Sequence, residues 1–335
     1  MEVFYLDPQI LSSLQFAAFL TKMEQRTLVK ANVFCYHLSM KSIIVAQPLG
    51  LSQEQKQRLE KLGEVKFYDQ IPASPEEWFE RVKNADVICT GKFGFKVKAY
   101  DLKNVFVSVP FVAIDWIDQD KLKQNNVTVQ NSPGCNKEPV SEWIVGMMIN
   151  LMRKFPKYIN TRESVQGDPA IGLSIAGKTV LISGAGNIGT RVGKICEALG
   201  AEVGYFKRGD KLIEKAKSAD VIVDALGANK ETYQIYNRDF FQSLKKGTYF
   251  ITVTGDKLWD ADAIIEALDQ NLLAGVATDV GNIQVGTVDS PLYQRFANHP
   301  KVYATPHIAY DSDRCDLICN NMMIDNIESW MKLKF

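Results

Sequence analysis

Short runs of β-branched and aromatic residues alternate along this chain with longer stretches in which apolar residues recur three or four positions apart. SIIVAQ, VKFY, DVICT, NVFVSV and VTVQ fall in the first half, separated by stretches such as SQEQKQRLEKL and PEEWFERVKN. TVLISG, EVGYF, DVIVDAL, TYFITV, GVATDV and VYATPH follow in the second. Strands that are apolar along most of their length are covered on both faces, and helical crossovers between them make neighbours parallel. The pattern predicts an α/β chain with two doubly wound parallel sheets in succession.

Between the halves, EPVSEWIVGMMINLMRKF carries Val140, Ile144, Met147 or Met148, and Leu151 at helical spacing, and reads as a long connecting helix. DSDRCDLICNNMMIDNIESWMKL, after the last strand, reads as a terminal helix free to pack back on the first half. Residues 1–39 fit this plan poorly. They are either an added helical arm or the product of a start placed upstream of the native one, and both readings stay open.

Composition narrows the function. Two domains are expected for 335 residues, 46% of them hydrophobic. Lys plus Arg and Asp plus Glu both number 39, so no net field draws the chain to nucleic acid or to an anionic membrane. No apolar stretch reaches the ~20 residues of a membrane span, and the first residues lack the basic-then-apolar order of a secretion signal, which points to the cytoplasm. The six cysteines occupy apolar contexts without zinc spacing and read as reduced thiols. Cys315 and Cys319, near His307, lack an evident fourth ligand, so no metal is expected.

The clearest motif is Gly184-Ala185-Gly186-Asn187-Ile188-Gly189, directly after a strand and opening a helix. In that context the first glycine makes a tight turn, the second admits a pyrophosphate, the third lets helix and strand pack, and free N–H groups face the anion. An NAD-selective site carries Asp or Glu about 20 residues on, after the next strand. Here Lys207 and Arg208 occupy that place. Two cations favour a 2′-phosphate, so NADP is expected over NAD, with a solvated surface turn as the bland alternative.

Ligands of such sheets bind beyond the carboxyl ends of the strands, which here carry Thr254-Gly255-Asp256, Asp279 and Thr305-Pro306-His307-Ile308-Ala309. Over roughly residues 41–335 the chain resembles the D-isomer-specific 2-hydroxyacid dehydrogenases, through LKNVFVSVPFVAIDWIDQDKL, VTVQNSPGCNKEPVSEW, GKTVLISGAGNIG, SADVIVDALGANKET, GVATDV, DSPLY and TPHIA in the family's order. The resemblance implies a Rossmann NAD(P)-binding domain, 139–307, inserted into a flavodoxin-like substrate domain, 40–138 plus 308–335, and self-association as a dimer. It implies that His307 is the acid/base, that Asp279 holds the nicotinamide amide, and that Val253 lies at the cofactor site.

Three positions depart from the family. Its arginine, which clamps the substrate carboxylate and carbonyl, is replaced by Gly255. Its glutamate, which orients the histidine, is replaced by Gln284, able to accept a bond but carrying no charge for an imidazolium. Its glycine-rich substrate loop reads Phe111-Val112-Ala113-Ile114-Asp115. Losing a preorganised charged donor costs on the order of 10²–10³ in rate. Two readings follow: an NADP-preferring oxidoreductase acting on a small carbonyl compound that lacks the usual carboxylate, with Lys92 or Lys257 as a substitute clamp, or a nucleotide-binding sensor or partner subunit without turnover. In the second, Phe111 or Trp259 is expected to fill the substrate space.

Overall fold

A computed structural model of the chain describes residues 40–159, 172–280 and 285–334. It divides into two compact units. Of the described residues, one takes in 40–109, 115–130 and 323–334; the other takes in 110–114, 131–159, 172–280 and 285–322. The crossings thus lie at 130/131 and 322/323, where the sequence reading set them at 138/139 and 307/308.

The first unit holds a five-stranded parallel sheet of β1 (Lys41–Val45), β2 (Gly63–Phe67), β3 (Val87–Cys89), β4 (Phe106–Ser108) and β5 (Thr128–Gln130), in the order β2-β1-β3-β4-β5. That is the flavodoxin-like order. Its helices start where side-chain oxygens cap the free N–H groups: Ser52 with Gln55 forms a capping box, and Ser74 caps a helix begun by Pro75. Ile43, Val45, Val87 and Phe106 bury one face of the sheet against Met323, Ile324 and Ile327 of the terminal helix Asp313–Lys334. Trp330 of that helix stacks on Phe106 at 4.8 Å.

The second unit holds a six-stranded parallel sheet of β6 (Thr179–Ser183), β7 (Glu202–Phe206), β8 (Val221–Asp224), β9 (Thr248–Thr252), β10 (Leu273–Asp279) and β11 (Val302–Thr305). The order β7-β6-β8-β9-β10-β11 reverses direction between β6 and β8. Chain crossovers leave this edge toward opposite faces, which opens a groove at the strand ends. One face packs on the connecting helix Lys137–Arg153 through Val140, Ile144, Met148 and Leu151, so the methionine stripe is core. The other buries Phe240, Phe241, Phe250 and Tyr236 in edge-to-face contacts.

All eleven apolar runs of the sequence became strands; the central ones, such as β3, β8 and β9, are buried along their whole length, while the edge strands β2, β5 and β7 keep exposed positions. The thiol reading needs correction. Cys135 and Cys319, 184 residues apart in sequence, are disulfide-bonded, and Cys315 Sγ lies 3.6 Å from Cys319 Sγ. Nothing in local spacing signals that pairing, which the tertiary fold brings about. Cys89, Cys196 and Cys315 are free and buried, and Cys35 lies outside the described residues. Among the described residues no helix is long and apolar enough to cross a membrane, and no group of His, Cys, Asp or Glu is placed to hold a metal.

Candidate functional site

The glycine cradle joins β6 to the helix Asn187–Ala198, and its three glycines are required for three different reasons. Gly184 has φ +99°, and a Cβ there would lie 2.6 Å from the Ala225 carbonyl oxygen, at the end of β8. A Cβ on Gly189 would collide with the Gly184 carbonyl oxygen. Both therefore serve the fold itself. At Gly186 a Cβ would meet nothing within 4 Å, so the protein alone gives no reason for a glycine. The reason lies outside it, in a group that must come close to the backbone. No side chain caps this helix, and its first turn carries no acid. Uncapped N–H groups at a bare helix start attract an anion, and the residues present fit a dinucleotide pyrophosphate. Asn187 also packs against Gly134, which at φ +81° has no room for a Cβ. Ile188 turns inward onto the core cluster around Val192 and Cys196.

Beyond the cradle, a groove of about 560 Å³ is lined by Gly184, Phe206, Lys207, Arg208, Asp210 and Leu226, among others. Lys207 and Arg208 are both exposed. The Arg208 guanidinium meets Glu231 at 3.1 Å with its side chain 84% exposed, so the pair is weak and easily opened. Asp210, which the sequence reading passed over, accepts the Lys207 N–H at 2.8 Å and pairs with Lys215 at 2.9 Å. The Lys215 bond, then the Lys207 N–H, hold its carboxyl below the usual range. The groove thus carries acids as well as the two cations.

At the far side of the same sheet, β10 ends in Asp279 and β11 leads into the turn of His307. Asp279 is 4% exposed. Its carboxylate accepts the Thr305 hydroxyl at 2.5 Å and the N–H groups of Ile308 and Ala309 at 2.8 and 2.9 Å. Three donors on either side of His307 pin its turn, in which His307 itself takes φ +57°. A non-glycine residue in that region persists only where its surroundings hold it. The half-buried imidazole lies edge-on to Tyr310 at 5.9 Å. Asp279 is thus placed to fix the histidine, a service that the sequence reading had not given it.

The Gly255 turn follows β9. Val253 packs on the core beside Ile251 and donates its N–H to the Asp224 carbonyl at 3.4 Å. Gly255 does not have a positive φ, so its backbone would accept a side chain. Its carbonyl accepts the Leu258 N–H at 3.0 Å, closing the turn. Lys257 beside it is exposed, and Lys92 belongs to the other unit. Trp259 is 1% exposed and packs on Phe296 in the core, so it does not fill a substrate space. Phe111 is half-buried, its carbonyl taken by the Ser132 N–H at 3.1 Å. Gln284 lies outside the described residues.

The sequence reading missed one further group. Asp224, the last residue of β8, is 0% exposed and accepts the Thr252 hydroxyl at 2.9 Å, the Leu226 N–H at 3.2 Å and the Thr254 hydroxyl. Burial pushes its carboxyl up to about 6, against the opposing pull of these donors and of Tyr236. Its signal was present in VIVD: a carboxylate closing a run that is otherwise buried.

Residues 145–309 match the family described as D-isomer specific 2-hydroxyacid dehydrogenase, NAD binding domain. A D-lactate dehydrogenase of Staphylococcus epidermidis is 26% identical over 264 residues, 70% of this chain and 79% of that protein. An acyclic imino acid reductase, solved with NADPH and D-Arg, superposes with a TM-score of 0.74 at 22% identity, over 88% of this chain and 98% of that one. A D-isomer specific 2-hydroxyacid dehydrogenase of Lactobacillus delbrueckii ssp. bulgaricus, solved with NAD, gives 0.70 at 20%, over 87% and 97%.

Proposed function

We propose, for a chain that belongs to the D-isomer-specific 2-hydroxyacid dehydrogenases and is an NAD-binding oxidoreductase of that type, that it reduces a small carbonyl compound other than an ordinary 2-oxoacid, preferring NADPH. The nicotinamide supplies the hydride when bound. The chain's part is to hold the dinucleotide, exclude water and move one proton: His307 delivers it to the carbonyl oxygen as the alcohol forms, and takes it back in the reverse direction. The observation that carries this reading is the Asp279 anchor, which holds the His307 turn with three hydrogen bonds although the arginine is gone. A chain kept only for nucleotide binding has no use for an imidazole fixed at such conformational cost.

The substrate class follows from charge. With Gly255 in the arginine's place, nothing in this turn offers a carboxylate a bidentate partner, so neutral aldehydes and ketones fit better than pyruvate. The coenzyme preference rests on Lys207, exposed at the rim of the groove, and on Arg208, whose exposed pair with Glu231 gives way to a phosphate at little cost. The D-lactate dehydrogenase and imino acid reductase relatives are solved or named for carboxylate substrates, and the departure from them is a reading of this chain's own residues.

The test follows the absorbance of NADPH and NADH with a panel of aldehydes, ketones and 2-oxoacids, in the native chain and in His307→Gln. Turnover of a neutral carbonyl compound, faster with NADPH and lowered on the order of 10²-fold or more in His307→Gln, is expected. No turnover on any compound, with dinucleotide affinity intact, removes this reading in favour of a binding subunit.

A further inference from the structure

We propose that Asp224 is a positioning residue that couples dinucleotide binding to proton uptake, by tying the wall of the cofactor groove and the Thr254–Gly255 turn to one buried carboxyl group. The inference rests on the dinucleotide-binding reading of this unit and goes beyond it.

Asp224 ends β8 where the order of the six-stranded sheet reverses between β6 and β8, the edge at which such sheets receive ligands. Its neighbour Ala225 forms the floor against which Gly184 turns, and Leu226 and Gly227 line the groove. One carboxylate oxygen accepts the Leu226 N–H and so shapes this stretch. The other accepts Thr252 and Thr254, and Thr252 in turn accepts the Thr254 N–H at 3.1 Å. The cofactor wall and the turn that replaces the family's arginine thus hang from the two oxygens of one group.

Among the described residues no cation compensates the Asp224 carboxylate. β6 presents the Ser183 hydroxyl, β9 the hydroxyls of Thr252 and Thr254, the segment after β8 the Leu226 N–H, and Tyr236 its phenol. Tyr236 is the one titratable group among them, and burial and Asp224 both push its own ionisation up. The Tyr236 and Ser183 hydroxyls have no well-aligned partner, so each can rotate to donate to an ionised carboxylate or to accept from a protonated one. The site is built to hold the group in both states. A fully apolar strand end would be more stable, and a permanently charged one would have a cation.

A dinucleotide brings two pyrophosphate charges to the helix start beside Gly186. A buried, unscreened carboxylate at the adjoining strand end is repelled by them, and its protonated form is not. Binding therefore draws up to one proton from solvent onto Asp224 at pH values between its free and bound pKa, and by reciprocity a lower pH tightens binding. No electrons move in this step, and the proton is returned on release.

The experiment measures the affinity of the full chain for NADPH and for NADH by nicotinamide fluorescence between pH 5 and 8, with proton uptake read by calorimetry in two buffers of different ionisation heat. Affinity should fall as pH rises through 6, by about tenfold for each unit by which binding raises the carboxyl's pKa. Asp224→Asn should lose that component, while His307→Gln should keep it. Thr254→Val removes one donor to the ionised form and should move the midpoint to higher pH, which serves even where Asp224→Asn fails to fold. Binding that does not vary with pH in the native chain, a profile unchanged in Asp224→Asn, or a midpoint unmoved in Thr254→Val overturns the inference. Absence of dinucleotide binding at every pH would instead remove the reading beneath it.

Discussion

Two strand ends of the same sheet have fared differently. After β6, each glycine of the cradle meets the physical demand of its position: one bends the chain, one leaves space, one admits the neighbouring backbone. After β9, the turn at Thr254–Gly255 carries no cation at the position where the resemblance puts the family's arginine. The difference teaches which kind of site tolerates change. An anion held by backbone N–H groups depends on the fold, so altering it unravels the packing of helix on strand. An anion held by one guanidinium depends on a single side chain, which can be deleted while the strand beneath it remains.

The largest expected effect tests that contrast from the chemical end. Because Gly255 does not use a positive φ, its backbone conformation is open to arginine. Gly255→Arg combined with Gln284→Glu should raise 2-oxoacid reduction on the order of 10²–10³-fold, about 3–4 kcal/mol in the barrier, with dinucleotide affinity unchanged. An unaltered rate on pyruvate and its homologues, in a double variant shown to bind cofactor, would mean that the strand end has lost more than its charge.

The next effect concerns the carboxyl group between the two ends. Asp224 has its folded pKa raised from 3.8 to about 6 by burial. Between those values the folded chain holds a proton that the unfolded chain has released. The contribution of Asp224 to stability is therefore full below pH 4, declines as pH rises toward 6, and is flat beyond, by about 3 kcal/mol in all. Chemical denaturation of the cofactor-free chain at pH 4.5 and 7 captures about 2 kcal/mol of it, after subtraction of the same difference in Asp224→Asn. If that variant shows the same slope, the carboxyl is not the titrating group.

How far the sequence carried these conclusions depended on the range of the forces involved. The strands were legible because a buried parallel strand is apolar within five or six consecutive residues, and the cradle because its six residues do their work on one another. The turn that carries His307 was legible through its place after a strand. Its anchor was not: Asp279 was assigned to the cofactor, and only the fold shows its oxygens taken by Thr305, Ile308 and Ala309. Asp210 escaped notice because its meaning depends on Lys215, five residues on and across a turn. Asp224 gathers Thr252, Thr254 and Tyr236 from separate segments, and Cys135 finds Cys319 across 184 residues. Such contacts leave no local periodicity. A carboxylate inside VIVD was the one visible trace.

The smallest effect separates the glycines that serve the fold from the one that serves the ligand. Gly189→Ala drives a Cβ into the Gly184 carbonyl, so the chain must deform, at about 1–3 kcal/mol of stability. Gly186→Ala places its Cβ in open space at φ −82°, a conformation that alanine adopts freely. Its stability should fall by no more than about 0.5–1 kcal/mol, the difference between glycine and alanine at a helix N-cap. Its dinucleotide affinity should nevertheless drop about tenfold, near 1.4 kcal/mol, because the methyl group occupies the approach of the pyrophosphate. Melting curves with and without NADPH distinguish the two. A Gly186→Ala chain that binds as tightly as the native one would show that the anion sits elsewhere, and the contrast between the two strand ends would have to be redrawn around Lys207 and Arg208.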